Sequence, residues 1–141
     1  MGIRLSIEGA ETINLDERSI TACRFSTQTP DDANARSSDV ANSMIVEGRI
    51  LTAIGGEAAD DTMKIAKWSV IRAESSDSYR KVTVEVVSAN QIVRKINFPN
   101  AFVVSYKEHY FDTEGVGTFE LVVRQKKDKF EFTTIEGGYG F

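Results

Sequence analysis

The sequence predicts a mainly-β fold: an antiparallel barrel of about eight strands, with one short α-helix and one long polar loop. Three observations predict it. Residues 95–136 alternate apolar and polar side chains through runs separated by turn residues, as half-buried antiparallel strands do. Only residues 57–70 carry a helical period. Residues 27–42, TQTPDDANARSSDVAN, hold one valine and no aromatic, too polar to pack a core and too long for a routine connection.

Taken in order, residues 3–8 read as a strand, Gly9-Ala10-Glu11 as a break, and Thr12–Leu15 as a second short strand. Residues 18–26 follow, with Thr21, Cys23 and Phe25 on one face and Ile20 and Ala22 on the other. After the polar loop, residues 43–51 set Ile45 and Leu51 against Met44, Val46 and Ile50, and Gly55-Gly56 closes the section. The helix is expected at about residues 58–70. Asp60 and Asp61 favour its N-terminal end, and Met63, Ala66 and Val70 mark its buried face, widened by Ile65 and Trp68. Trp68 reads as a packing anchor. Residues 73–78 are a polar loop, and residues 79–87 put Val82, Val84 and Val86 on one face. Ser88-Ala89-Asn90 turns the chain into residues 91–98, where Ile92, Ile96 and Phe98 share a side.

Pro99-Asn100 predicts a turn, because proline cannot donate to a central ladder. Beyond it Phe102, Val104 and Tyr106 oppose Ala101, Val103, Ser105 and Lys107. Residues 112–117, with two glycines, break the pattern, and Phe119, Leu121 and Val123 begin a new strand. Lys126-Lys127-Asp128-Lys129 forms a polar hairpin tip, after which Phe130 and Phe132 resume the alternation. The tail, Gly137–Phe141, is glycine-rich and either mobile or docked by its aromatics.

The chain has 141 residues, enough for one domain spanning 1–141 and too few for two ordinary ones. With 41% hydrophobic and 27% charged residues it is globular in composition, and a formal net charge of −4 with scattered basic residues argues against a nucleic-acid partner. A single cysteine makes no internal disulfide and fits a reducing compartment. The N-terminal residues lack an apolar signal-peptide region, and no apolar run has the length of a membrane span. Met1-Gly2 with Ser6 matches a myristoylation pattern, but the strand alternation of residues 3–8 accounts for the same residues.

Catalytic chemistry finds little footing. His109, the only histidine, and Cys23 would have to meet in the fold to form a nucleophile–base pair, and neither sits in a local signature. One histidine and one cysteine do not make a zinc site. Asp31-Asp32 and Asp60-Asp61 lack the spacing of a calcium loop, and no glycine-rich stretch matches a phosphate-cradling motif. No catalytic residue, metal ligand or cofactor is expected.

The order of elements resembles the tube proteins of contractile injection systems, the Hcp proteins of type VI secretion and related phage tail-tube proteins. The resemblance lies in the strand ending CRFSTQ with its long polar loop and the strand SMIVEGRI, in the mid-chain helix DDTMKIAKWSV, and in the paired strands KVTVEVV and IVRKINF. It lies also in FPNAFVVSYKEHYFDTEGVGTFELVVRQKK, above all Asn100-Ala101 and Val104-Ser105-Tyr106. It is one of layout, and FEFTTIEGGYGF departs from it.

What the resemblance implies is a structural protein, not an enzyme: a barrel protomer closing into hexameric rings that stack into a hollow inner tube, a conduit for effectors or cargo. The long loop would reach the neighbouring ring through Thr27, Gln28, Thr29, Pro30, Asp31, Asp32, Arg36 and Asp39. Partners would be the chain itself, sheath and baseplate or spike proteins, and effector cargo. Assembly would be cytoplasmic, followed by incorporation into a phage-tail-like or secreted particle. Three alternatives stay open at this point: a baseplate or tube-terminating component, a small β-barrel hydrolase using Cys23 or carboxylates, and a monomeric ligand-binding barrel.

Overall fold

Alternation along the chain becomes cross-strand register in the computed structural model, which describes residues 1–28, 41–50, 61–112, 116–126 and 133–140. In chain order the elements are β1 (Gly2–Glu8), β2 (Thr12–Leu15), β3 (Ile20–Gln28), β4 (Ala41–Ile50), α1 (Thr62–Ser69), β5 (Arg80–Ser88), β6 (Gln91–Phe111), β7 (Val116–Gln125), β8 (Thr134–Glu136) and β9 (Tyr139–Gly140). A short 3-10 turn, Ser76–Ser78, precedes β5. Gly55-Gly56, Asp60, Lys127–Lys129, Phe130, Phe132 and Phe141 lie outside the described residues.

The strands form one antiparallel sheet in the order β2-β1-β5-β6-β7-β4-β3, with β8 and β9 added to β6. Mainly-β, antiparallel and one short helix are therefore right, with nine described strands where about eight were expected. The ladder is not a closed barrel: β2 and β3 end it, and no pairing joins them among the described residues. The sheet curls instead. Phe25 on β3 meets Phe98 on β6 with ring centroids 6.1 Å apart. One buried cluster draws Leu5, Ile13, Met44, Val82, Phe98 and Leu121 from six different strands.

The expected turn at Ser88–Asn90 is a two-residue hairpin: Ser88 pairs with Gln91, and Ala89 and Asn90 take φ of 51° and 61°. Positive φ at both positions matches the twist of the flanking strands. The tail is docked, with Tyr139-Gly140 pairing to Gln91-Ile92.

The turn expected at Pro99-Asn100 is absent, and β6 runs straight through it for 21 residues. The ladder to β5 is irregular there, passing from Val82–Phe98 to Arg80–Ala101. The missing proline N–H thus falls at a bulge, where the regular ladder is interrupted. Asn100 N–H donates to Gln125 Oε1 at 3.1 Å, and its carbonyl accepts from Lys126 N–H at 2.9 Å. At this point β6 changes partner: residues 91–101 pair with β5, residues 101–111 with β7.

Bulges also correct three facing assignments. An irregularity between Ile20 and Ala22 brings Ile20 inward with Cys23 and Phe25, leaving Thr21 exposed. A second, between Val86 and Val87, buries Val87 more deeply than Val86. A third makes Val104 the extra residue between Val103 and Ser105, so it stands 44% exposed while Ala101, Val103 and Tyr106 face the core.

The helix buries Thr62, Ile65 and Trp68, whereas Met63 and Val70 are exposed. A helix lying on a sheet buries one stripe, and this stripe carries the larger payload. Trp68 is fully packed, its Nε1–H donating to the Ser78 carbonyl at 3.1 Å. Asp61 is the N-cap residue but makes no side-chain cap; its Oδ2 accepts from Asn14 N–H at 3.0 Å, tying α1 to β2.

Candidate assembly surface

The loop residues fall on both sides of what the structure describes. Thr27 and Gln28 close β3, pairing with Asn42 and Ala41 of β4, and the Thr27 hydroxyl donates to Asn42 Oδ1 at 2.9 Å. Both are exposed. Strand pairing therefore continues to the last described residue of each strand, and the neck of the loop is a regular hairpin. Thr29, Pro30, Asp31, Asp32, Arg36 and Asp39 lie outside the described residues.

Register then places polar residues that the sequence separates. Because one sheet face is turned to the core, the outward residues line up in rows across the strands. On β2-β1-β5-β6-β8 one row reads Asn14, Ser6, Thr83, Asn97, Thr134, and its neighbour reads Arg4, Glu85, Lys95, Glu136. The first is uncharged; the second alternates in sign, so each cross-strand pair attracts.

On β3-β4-β7-β6 the outward rows differ. They read Ser26, Ser43, Arg124, Phe102; then Arg24, Ile45, Val122, Ser105; then Ala22, Glu47, Glu120, Lys107; and last Arg49, Thr118, His109. The same four strands have two free edges. Among the described residues, nothing pairs with the outer side of β3, nor with β6 beyond Ala101 on the side away from β7. Exposed apolar groups gather along that second edge: Val104, Tyr110 at 65% and Phe111 at 39%. His109 stacks on Phe111 with centroids 4.2 Å apart, and the Glu108 carboxylate accepts from the hydroxyls of Tyr106 and Tyr110. That bond to Glu108 raises the Tyr110 phenol above its ordinary pKa. Unpaired strand edges beside exposed aromatics are a template for another chain.

The pairing of Cys23 with His109 is not made. Cys23 lies in the inward row Cys23, Val46, Leu121, Tyr106, and His109 sits three residues further along β6 on the outward face. Along the sheet that is about 17 Å. Burial also pushes the Cys23 thiol up to about 11, leaving little thiolate at neutral pH. No group of three or more metal-ligating side chains occurs among the described residues.

Comparison with solved structures decides the fold. A protein in the cryo-EM structure of the anti-feeding prophage baseplate matches 96% of this chain and 92% of its own at a TM-score of 0.55 and 14% identity. Hcp1 from Flavobacterium johnsoniae matches 97% and 96% at 0.53 and 17%. A protein of the anti-feeding prophage tube-terminating cap matches 96% and 89% at 0.52 and 13%. The fold is that of contractile injection system tube proteins. No protein-family model and no curated protein matches the sequence, so this tube-like fold is recorded in geometry and in the layout of elements. The paired outward rows and free edges of the tube-like fold went unread in the sequence, although the alternation Thr83, Glu85 and Lys95, Asn97 signalled them once register is known.

Proposed function

We propose that this chain is a structural, non-enzymatic protein of a contractile injection system, folding as one domain over residues 1–141 and closing into hexameric rings that stack as an inner tube. The observation that carries the reading is likeness over nearly the whole chain to proteins of such machines, on both sides of each match. The two free edges support it physically. They lie on opposite sides of one four-stranded unit, so the β3 edge of one protomer meeting the β6 edge of the next is a heterologous contact, the kind that generates rings when the rotation closes.

In this reading the hairpin neck at Thr27 and Gln28 presents residues 29–40, with Pro30, Asp31, Asp32, Arg36 and Asp39, to the adjacent ring. The partners are the chain itself, sheath and baseplate or spike proteins, and effector cargo. Assembly is cytoplasmic and precedes incorporation into the particle; no cofactor takes part. A second reading, a baseplate or tube-terminating component, is favoured by the baseplate and cap proteins among the matched structures.

Light scattering with negative-stain imaging tests both. Rings of six that stack into tubes support the tube reading, and replacing residues 29–40 by a short turn then leaves rings that no longer stack. Isolated rings that cap a preformed tube support the second reading. A protein that stays monomeric in the presence of sheath and baseplate proteins overturns both.

A further inference from the structure

The five ion pairs among the described residues are Arg4–Glu17, Arg18–Asp16, Lys64–Asp61, Arg80–Asp77 and Lys81–Glu8. None lies on the outward face of β3-β4-β7-β6. That face carries four cations, Arg24, Arg49, Lys107 and Arg124, against the two carboxylates Glu47 and Glu120. The four cations make no ion pair among the described residues; Arg124 only reaches the Ser43 hydroxyl, at 3.5 Å. In a chain with 21 acidic and 17 basic residues, a face with cations in excess runs against the overall balance, even with Lys107 standing opposite Glu120. Glu47 and Glu120 stand directly opposite each other, an arrangement of like charges that costs stability in an isolated sheet. Between the charged rows lie Ile45 and Val122, both half-buried. A shallow groove of about 400 Å³ lies at one end of the face, lined in part by Glu47, Arg49, Lys107, His109 and Glu120, with Glu108, whose carboxylate is held by the Tyr106 and Tyr110 hydroxyls, at its rim.

We propose that this face is a docking surface for an acidic polypeptide segment. Its carboxylates would be taken by Arg24, Arg124, Arg49 and Lys107, its apolar side chains by Ile45 and Val122, and an occasional basic group by the Glu47–Glu120 pair. Arginine suits the role because its planar guanidinium holds a carboxylate through two parallel bonds. The charge mixture selects against a nucleic acid: its uniform row of phosphates would be pressed onto Glu47 and Glu120, and its backbone offers nothing to Ile45 and Val122. A polypeptide can alternate charge and apolar groups at the spacing the rows demand. The inference deepens the proposed reading, on which its biological meaning rests, by naming the chemistry of a partner segment.

The test is fluorescence anisotropy of the purified full chain with three labelled probes of equal length: a Glu- and Leu-containing peptide, its Lys-for-Glu counterpart, and a single-stranded oligodeoxynucleotide. The wild-type protein is expected to hold the acidic peptide at least about tenfold tighter than the basic one, and to lose it as salt is raised. Arg24→Ser with Arg124→Ser should weaken that binding about tenfold, and so should the independent pair Arg49→Ser with Lys107→Ser. Arg4→Ser with Arg18→Ser, off this face, should leave it unchanged. Equal binding by all variants, preference for the basic peptide, or displacement of the acidic peptide by the oligonucleotide overturns the proposal. Light scattering on the same samples separates the two ideas. Rings that do not bind sink the docking face alone, and a monomer that binds keeps the docking face, the ring reading falling only if the chain also stays monomeric with sheath and baseplate proteins present.

Discussion

Replacing Asp77 by asparagine is expected to cost more than its half-buried position implies. Arg80 is 4% exposed, and its Nη2 donates to Asp77 Oδ2 at 2.7 Å while Nε donates to Oδ1 at 3.1 Å. Nη1 is buried without a hydrogen-bond partner among the described residues, and the guanidinium carbon lies 5.4 Å from the centre of the Trp68 ring. Asp77 Oδ1 also accepts from Ala10 N–H at 3.1 Å. One carboxylate therefore fastens the β1–β2 turn, the 3-10 turn and the start of β5. Removing one partner of a buried ion pair costs about 3–5 kcal/mol. The Asp77 side chain is 28% exposed, so water reaches it and screens the pair. The expected loss is then about 3 kcal/mol, or about 10 °C in Tm for a chain of this size. Arg80→Met, which removes the buried charge and keeps an apolar filler, should lose only about 1 kcal/mol. Urea unfolding followed by the fluorescence of Trp68, the chain's only tryptophan, reads both variants at the site itself. The bonds from Arg80 hold the Asp77 carboxyl below its ordinary value of 3.8. A carboxyl lowered in the folded state contributes its full stabilisation above the unfolded value and loses it as pH falls through the folded one. The gap between wild type and Asp77→Asn should begin to narrow as pH falls below about 3.8 and close only below the lowered folded value. An asparagine variant as stable as wild type at neutral pH, or a methionine variant that is the worse of the two, refutes the reasoning.

Gly48→Ala should cost about 1–3 kcal/mol by thermal unfolding, because its new methyl would sit 2.4 Å from the Ser19 carbonyl oxygen and 2.7 Å from the Phe119 ring. Ile65→Ala should cost about 2–5 kcal/mol, whereas Met63→Ser and Val70→Ser should stay within about 0.5 kcal/mol of wild type; the reverse order would place the buried helix stripe where the heptad-like spacing first put it. The Cys23 thiol, pushed up to about 11 by burial, should react with a disulfide reagent at neutral pH far more slowly in the folded protein than in urea, and equal rates would contradict its packing.

What was legible in the sequence was the alternation, and what was hidden was its phase. Val82 and Val84, and Phe119, Leu121 and Val123, are buried as their period predicts. At Val86-Val87 and Val103-Val104 two adjacent valines make either phase equally apolar, so only the bulge decides which one faces inward. The helix misled for a related reason. Met63, Ala66 and Val70 form one apolar stripe and Ile65 and Trp68 another, and the choice between them is made by the sheet beneath. Pro99 was read by a rule for regular ladders that does not hold at a bulge. The candidate surface was illegible for want of register: Glu47 and Glu120 are 73 positions apart in the chain and directly opposite in the sheet.

The passage of β6 through Pro99-Asn100 has a mechanical consequence. Its first half is laddered to β5 and its second to β7, so the two halves of the sheet are joined by an unbroken covalent backbone as well as by packed side chains. A thrust on one half is carried along that backbone, and sliding β6 out of either ladder would strain many hydrogen bonds in shear at once rather than peel them singly. The half-sheets can therefore be loaded unequally without separating, the mechanical property required of a strut.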